Sequence, residues 1–224
     1  MASSTDTNAG ALKRKRNFFN DEELSDVIIK FGEEQVFAHK VILASGSVWF
    51  EKALLGNFSE AKKKVVELHD DTRTDAITAM LKHLYGMSYE TQIEPCDEED
   101  FAELHHHAYL LGDKYDIESL RIQAAKKMRT FLSDEFHMGL YHSTISTIQR
   151  ILGPEAVQFA DRALELQTKK QVLAHTSTLF LHAFFLNLLA KGKMFAPETA
   201  MAFLNKINEV AEWEDDADEH LDGD

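Results

Sequence analysis

The chain has 224 residues, 44% of them hydrophobic, enough for one large domain or a compact domain with a smaller companion. A single cysteine, Cys96, excludes a disulfide framework or a cysteine-based zinc site closed within the chain, and fits a reducing compartment. The net charge of −14 argues against nucleic-acid binding driven by phosphate contacts.

Met1 to Gly10 is small and polar, which predicts disorder and no secretory leader. Lys13, Arg14, Lys15 and Arg16 then form a basic cluster with the shape of a nuclear import signal; an inert solvated run has the same composition. Residues 1–19 are read as this basic tail. Asp26 to Phe31 is rich in β-branched residues, Gly32 to Glu34 makes a turn, and Gln35 to Phe37 returns as the second strand of a hairpin. His39 to Ala44 turns helical, Ser45-Gly46-Ser47 breaks it, and Ser47 caps a second helix carrying Phe50, Leu54 and Leu55. Val65 to Leu68 is a short third strand. Thr72 and Asp75 form a capping pair opening a helix with Ile77, Met80, Leu81 and Leu84 on one face.

After an acidic connection, Phe101, Leu104, Ala108 and Leu111 line another helix. Asp116 caps the next, which carries Ile117, Leu120, Ala124, Met128 and Phe131. Few short strands followed by helix pairs give an α+β class, with Phe37, Leu43, Phe50, Leu81, Leu84, Tyr115 and Leu120 locking the helices onto the sheet. Residues 133–213 are helical by pattern. Ile145, Ile148 and Leu152 form one stripe. Gly153-Pro154 ends that helix and starts another, on which Val157, Ala160 and Leu164 face inward. Leu179 to Leu189 is apolar nearly all round and is expected to lie centrally. His182 and Asn187 interrupt it, and it is shorter than the roughly 20 residues a bilayer requires, so no membrane partner is expected. Pro197 begins a last helix bearing Met201, Leu204 and Ile207. Eight acids and no lysine or arginine occupy Glu212 to Asp224. Residues 214–224 are read as an acidic disordered tail, either solubilising or a contact for a basic partner.

No catalytic, cofactor-binding or metal-binding residues are assigned. The chain holds no dinucleotide, phosphate-loop, nucleophile-elbow or HExxH motif. His105, His106 and His107 are consecutive, so on a helix they point about 100° apart and do not converge on one ion. His39 is read as a structural histidine.

Several strings, in order, resemble a BTB/POZ domain over residues 20–132. They are Ser25-Asp26-Val27, Phe37-Ala38-His39-Lys40, Leu43 with Ser45, Ser47 and Phe50, Phe58-Ser59-Glu60, Val65 to Leu68 with Asp70-Asp71, Leu81 to Tyr85, and Leu111 to Asp116 with Leu120. The Tyr85 to Tyr89 turn and Asp113 to Asp116 are most similar to single-BTB proteins of filamentous fungi. The resemblance implies a short mixed sheet flanked by helix hairpins, followed here by an all-helical extension. It further implies a non-enzymatic interaction protein or scaffold that forms a homodimer and recruits other proteins, in the nucleus or cytoplasm. Asp26 and Lys40 match the acid and base lining a charged pocket near the two-fold axis; a partly exposed ion pair is the alternative. Phe18, Phe19 and Leu24 are the candidate dimer interface, with a fold-back of the two rings onto their own domain as the competing arrangement. Two narrower roles come with the family: substrate adaptor of a cullin-type ubiquitin ligase, and nuclear transcriptional co-regulator. Adaptors carry an apolar-x-Glu string where Ser88-Tyr89-Glu90 has serine.

Overall fold

A computed structural model describes residues 17–56, 62–69, 73–88, 98–205 and 207. Two strands, β1 (Val27–Phe31) and β2 (Glu34–Ala38), form an antiparallel hairpin with Val27 opposite Ala38 and Phe31 opposite Glu34. The turn between them places Gly32 at φ +56°, a conformation open to glycine without a Cβ penalty. β3 (Val65–Glu67) lies parallel to β1 on its other side, giving the order β2-β1-β3 and a small mixed sheet. Alternation along β1 buries Val27, Ile29 and Phe31 and leaves Lys30 exposed.

Helix α1 (Lys40–Gly46) follows β2, and α2 (Val48–Leu55) follows after one residue. The Ser47 hydroxyl accepts from the Phe50 N–H at 3.0 Å and donates to the Tyr115 carbonyl at 2.6 Å, so one residue ends α1, caps α2 and ties both to the later chain. α3 (Thr74–Leu84), α4 (Glu98–Lys114) and α5 (Glu118–Met138) pack in succession, each on the next, and share one core with the sheet. α6 (Tyr141–Leu152), α7 (Ala163–Ala174), α8 (Thr176–Leu179), α9 (Ala183–Ala190) and a last helix α10 (197–205) complete the chain. α5 runs without a break across position 132 and stops at Gly139, whose φ of +77° closes the helix in the left-handed conformation. A single core joins Val27 on the sheet to Phe203 on α10.

The core is close to the one expected: Leu43, Phe50, Leu81, Tyr115 and Leu120 are fully buried, while Phe37 and Leu84 are half-buried at the edge. Several local expectations are corrected. Asp116 does not cap α5; it sits at φ +49° in the corner after α4, and Ile117 occupies the cap position. Arg73, not Thr72, precedes α3, with Asp75 in the first turn bound to it; Thr72 lies outside the described residues. Pro154 starts no helix. Residues 154–162 are irregular, Val157 and Ala160 are exposed, and only Leu164 faces inward, because α7 begins at Ala163. The apolar run from Leu179 to Leu189 is not one central helix. His182 takes extended backbone ahead of α9, burying Leu179, Phe185 and Leu188 and leaving Leu181 82% exposed. α10 turns Phe203 inward, with Ala200 and Ile207 partly covered, and leaves Met201 and Leu204 in solvent.

Candidate interaction surface

Asp26 ends the segment before β1 and reaches the start of α1, where its Oδ1 accepts the Lys40 N–H at 2.8 Å. The exposed carboxylate therefore supplies an acceptor to one of the free amides at a helix start. Lys40 is half-buried beside it, so the two charged-pocket candidates are brought together at the strand-to-helix corner.

The N-terminal aromatic pair does not project. Phe19 packs edge-on against Tyr85, with ring centroids 5.5 Å apart, and the Lys82 Nζ lies 5.9 Å from its centroid. Phe18 packs edge-on against His39 at 5.8 Å. Both rings are half-buried, so the motive for placing them at a dimer interface, a segment too short to bury itself, does not hold for them. Leu24, the third member, is 72% exposed.

Beneath the pair, the Tyr85 hydroxyl accepts the His39 backbone N–H at 2.9 Å and lies 2.8 Å from His39 Nδ1. Burial pushes the Tyr85 phenol up to about 12, and it stays protonated. Burial likewise pulls the Lys82 ammonium below its ordinary value.

The α1–α2 hairpin turns apolar side chains outward. Val41 is 71% exposed, Leu55 is 62% exposed, and Val48 joins Leu55 on one stripe of α2 at i and i+7. Trp49 is fixed between Phe50 and Tyr115 by edge contacts of 5.0 and 4.9 Å, which makes the hairpin a rigid platform. Such residues are ordinary when scattered and informative when gathered on one element.

The extension is clamped to the domain by a second set of polar residues. The Tyr109 hydroxyl donates to Asp161, whose other oxygen lies 2.7 Å from Arg121 Nε, within ion-pair range although the N–H is not aimed along that line. Asp161 also accepts the Ala163 N–H at 2.9 Å and so starts α7. Burial alone would raise the Asp161 carboxyl, but Tyr109, Ala163 and Arg121 together hold it below the usual carboxylate range. Asp113 accepts the Ala160 N–H at 3.3 Å. On the other side, Glu103 of α4 bridges Arg73 at 3.0 Å and Arg150 of α6 at 2.9 Å. None of the partners that join the extension to the domain was visible in the sequence, since those pairs span 30 residues or more.

His105 and His106 are buried and His107 is half-buried. Burial first, then His107 and Arg150, push His106 down to about 4. Two open clefts of about 340 and 620 Å³ flank the Gly153-Pro154 turn of the extension. Lys13 to Arg16, Phe58 to Glu60, Asp70-Asp71, Tyr89-Glu90 and the acidic tail lie outside the described residues. Among the described residues, no helix is long and apolar enough to cross a membrane.

The family model for the BTB/POZ domain matches residues 16–132. The chain is 42% identical over 57 residues to human Kelch-like protein 28, covering 25% of this chain and 10% of that protein. It is 34% identical over 69 residues to mouse Kelch-like protein 8, covering 31% and 11%. It is 37% identical over 67 residues to BTB and MATH domain-containing protein 15 of Caenorhabditis elegans, covering 30% and 24%. The matches thus span about a tenth to a quarter of the length of these relatives.

Proposed function

Since this chain belongs to the BTB/POZ family, whose domains are protein-interaction modules, we propose that it self-associates through the α1–α2 end of the domain and recruits other proteins through its helical extension. The observation that carries this reading is the outward apolar set of Val41, Val48 and Leu55 with Leu24. A two-fold interface lets one patch serve both copies. Burying the three most exposed of these, Leu24, Val41 and Leu55, contributes on the order of 5–9 kcal/mol per copy, and lost translational and rotational freedom offsets much of it, so a micromolar dimer is expected. Asp26 and Lys40, at the foot of α1, would line the charged pocket beside that interface. Sedimentation of the wild type and a Leu24→Ser/Val41→Ser/Leu55→Ser variant tests the reading. A wild type that stays monomeric at tens of micromolar, or a variant that associates equally well, defeats it.

A second reading, an adaptor joining a substrate to a cullin-type ubiquitin ligase, draws support from the unbroken passage of α5 into the extension. A continuous helix would hold a substrate bound on α6–α10 at a fixed orientation to the domain. Ser88, where an apolar residue is needed, weighs against it. Recovery of a cullin on affinity purification favours the adaptor, and recovery of transcription factors favours a nuclear scaffold. Nuclear entry through Lys13 to Arg16 belongs to that scaffold version. Alanine at all four positions, in a fusion too large to diffuse, should abolish nuclear accumulation. The fungal single-BTB subtype is part of the proposal too, resting on the Tyr85-Gly86 turn and the Asp113 to Asp116 corner.

A further inference from the structure

Residues 17–26 cross the domain as a strap with three unusual properties. First, it holds two non-glycine residues in left-handed backbone, Asn20 at φ +53° and Leu24 at φ +68°. Asparagine tolerates that region, but leucine rarely adopts it, and Leu24 is 72% exposed, so no burial of its side chain offsets the strain. Second, the strap does the work of a ligand. Asn20 Oδ1 accepts the outward N–H of Phe37 on β2 at 3.1 Å, covering the sheet edge, while Phe18 and Phe19 fill an aromatic seat made by His39, Tyr85 and Lys82.

Third, the seat is chemically incomplete with the strap in place. His39 is nine-tenths buried, and its Nε2 finds no partner among the described residues. The Tyr85 hydroxyl accepts the His39 backbone N–H and is hydrogen-bonded to Nδ1, with the direction of that second bond set by the ring tautomer, so Nε2 is a donor in one tautomer and an acceptor in the other. The histidine that Phe18 packs against thus keeps an unmet ring nitrogen, and a phenyl ring offers it neither donor nor acceptor. Leaving such a group unmet is costly, and a hydroxyl, which can donate or accept, removes the cost in either tautomer.

We propose that residues 17–26 are a replaceable strap, and that the seat beneath it takes an extended segment of a partner protein presenting a hydroxyl-bearing aromatic ring, tyrosine. The segment would take over three things the strap now provides: a ring against His39, a ring against Tyr85 and an acceptor for the Phe37 N–H. It would add a hydrogen-bond partner for His39 Nε2 and release the strain at Leu24. This deepens the interaction-module reading and rests on it, with the partner chemistry fixed by what the seat already holds and by what it lacks.

The test uses the full chain carrying Phe18→Ser and Phe19→Ser, which empties the seat, and two synthetic peptides of residues 17–26. One has the native sequence and one carries Phe18→Tyr. Binding is followed by the amide signals of Phe37 and His39. Both peptides should bind saturably, the tyrosine form about five- to tenfold more tightly, the gain of one hydrogen bond. No signal change up to about 1 mM in a folded host, or equal affinities, overturns the proposal. Should the double variant not fold, Phe18→Tyr in the otherwise native chain decides instead: it should raise Tm and slow exchange at the Phe37 amide, and no change in either overturns the proposal. Sedimentation of the same host separates the two readings, because Val41, Val48 and Leu55 of the dimer face lie outside the strap and the seat. A host that dimerises but ignores both peptides defeats the strap proposal alone.

Discussion

The domain and its extension are both helical and share one core, yet they are put together differently. In the domain, α3 and α4 follow their apolar stripes: Ile77, Met80 and Leu81 on α3, and Leu104, Ala108 and Leu111 on α4, are all buried. In the extension, α6 follows its stripe, with Ile145, Ile148 and Leu152 buried, but beyond it the stripes mislead. Val157, Leu181, Met201 and Leu204 stand in solvent, while Leu164, Leu179 and Phe203 beside them are buried. The domain's helices close over a sheet, which fixes their inward face. The extension's short helices close over α4, α5 and each other, and polar clamps such as Tyr109–Asp161 and Glu103–Arg150 choose which face turns in. A helix-period pattern reports a buried face reliably only where one partner surface dominates.

The largest expected effect breaks the comparison at its seam. A chain ended at Leu132 cuts α5 mid-helix and strips the cover from Leu132, Tyr109 and His106. Its melting temperature should fall by more than about 10 °C, or the piece should fail to fold, since several buried side chains at about 1.5–3 kcal/mol each return to water. A truncated domain melting cooperatively near the temperature of the full chain would show two independent units. Next, Asp161→Ala removes the acceptor of the Tyr109 hydroxyl and one of the two carboxylates near Arg121 and should cost about 2 kcal/mol, read by urea denaturation. Loss of less than about 1 kcal/mol would mean that the clamp is ornamental to the extension.

How much was legible in the sequence follows the same division. The hairpin, the Ser47 cap and the stripes on α3 and α4 depend on residues within about ten positions of one another, and the structure contains each of them. The strap's fold-back onto Tyr85, the Asp26 cap on Lys40 and the clamp at Asp161 depend on partners far along the chain, which no periodicity reveals. His182 shows the intermediate case: it was visible as an interruption in an apolar run, but only packing shows that it divides α8 from α9 and turns Leu181 outward.

A pH test sharpens the picture of the seam. His106 is held down near 4 by burial, against an ordinary value near 6.5 in the unfolded chain, so the unfolded chain binds the proton more readily between those values. The stability it contributes is complete above about pH 6.5 and is lost as pH falls toward 4, up to about 3 kcal/mol. His107 is displaced in the same direction, chiefly by burial. A His106→Gln variant should lose less stability than wild type between about pH 7 and 4.5 in parallel urea titrations. Identical pH dependence would place the titrating group elsewhere. The smallest effect contrasts neighbours on the extension. Leu181→Ser should shift stability by less than about 0.5 kcal/mol, whereas Leu179→Ala, two residues away, should cost about 2–5 kcal/mol. Equal costs would mean that the break before α9 is misplaced.

In the proposed dimer the domain's α1–α2 face, and not the extension, brings two copies together. Amide spectra recorded between about 5 and 200 µM test it directly, because that range brackets a micromolar association. The predicted result is concentration-dependent shifts confined to the surroundings of Leu24, Val41, Val48 and Leu55, with residues 153–190 unchanged. Spectra that do not change with concentration, or changes centred on α7 to α9, would contradict it.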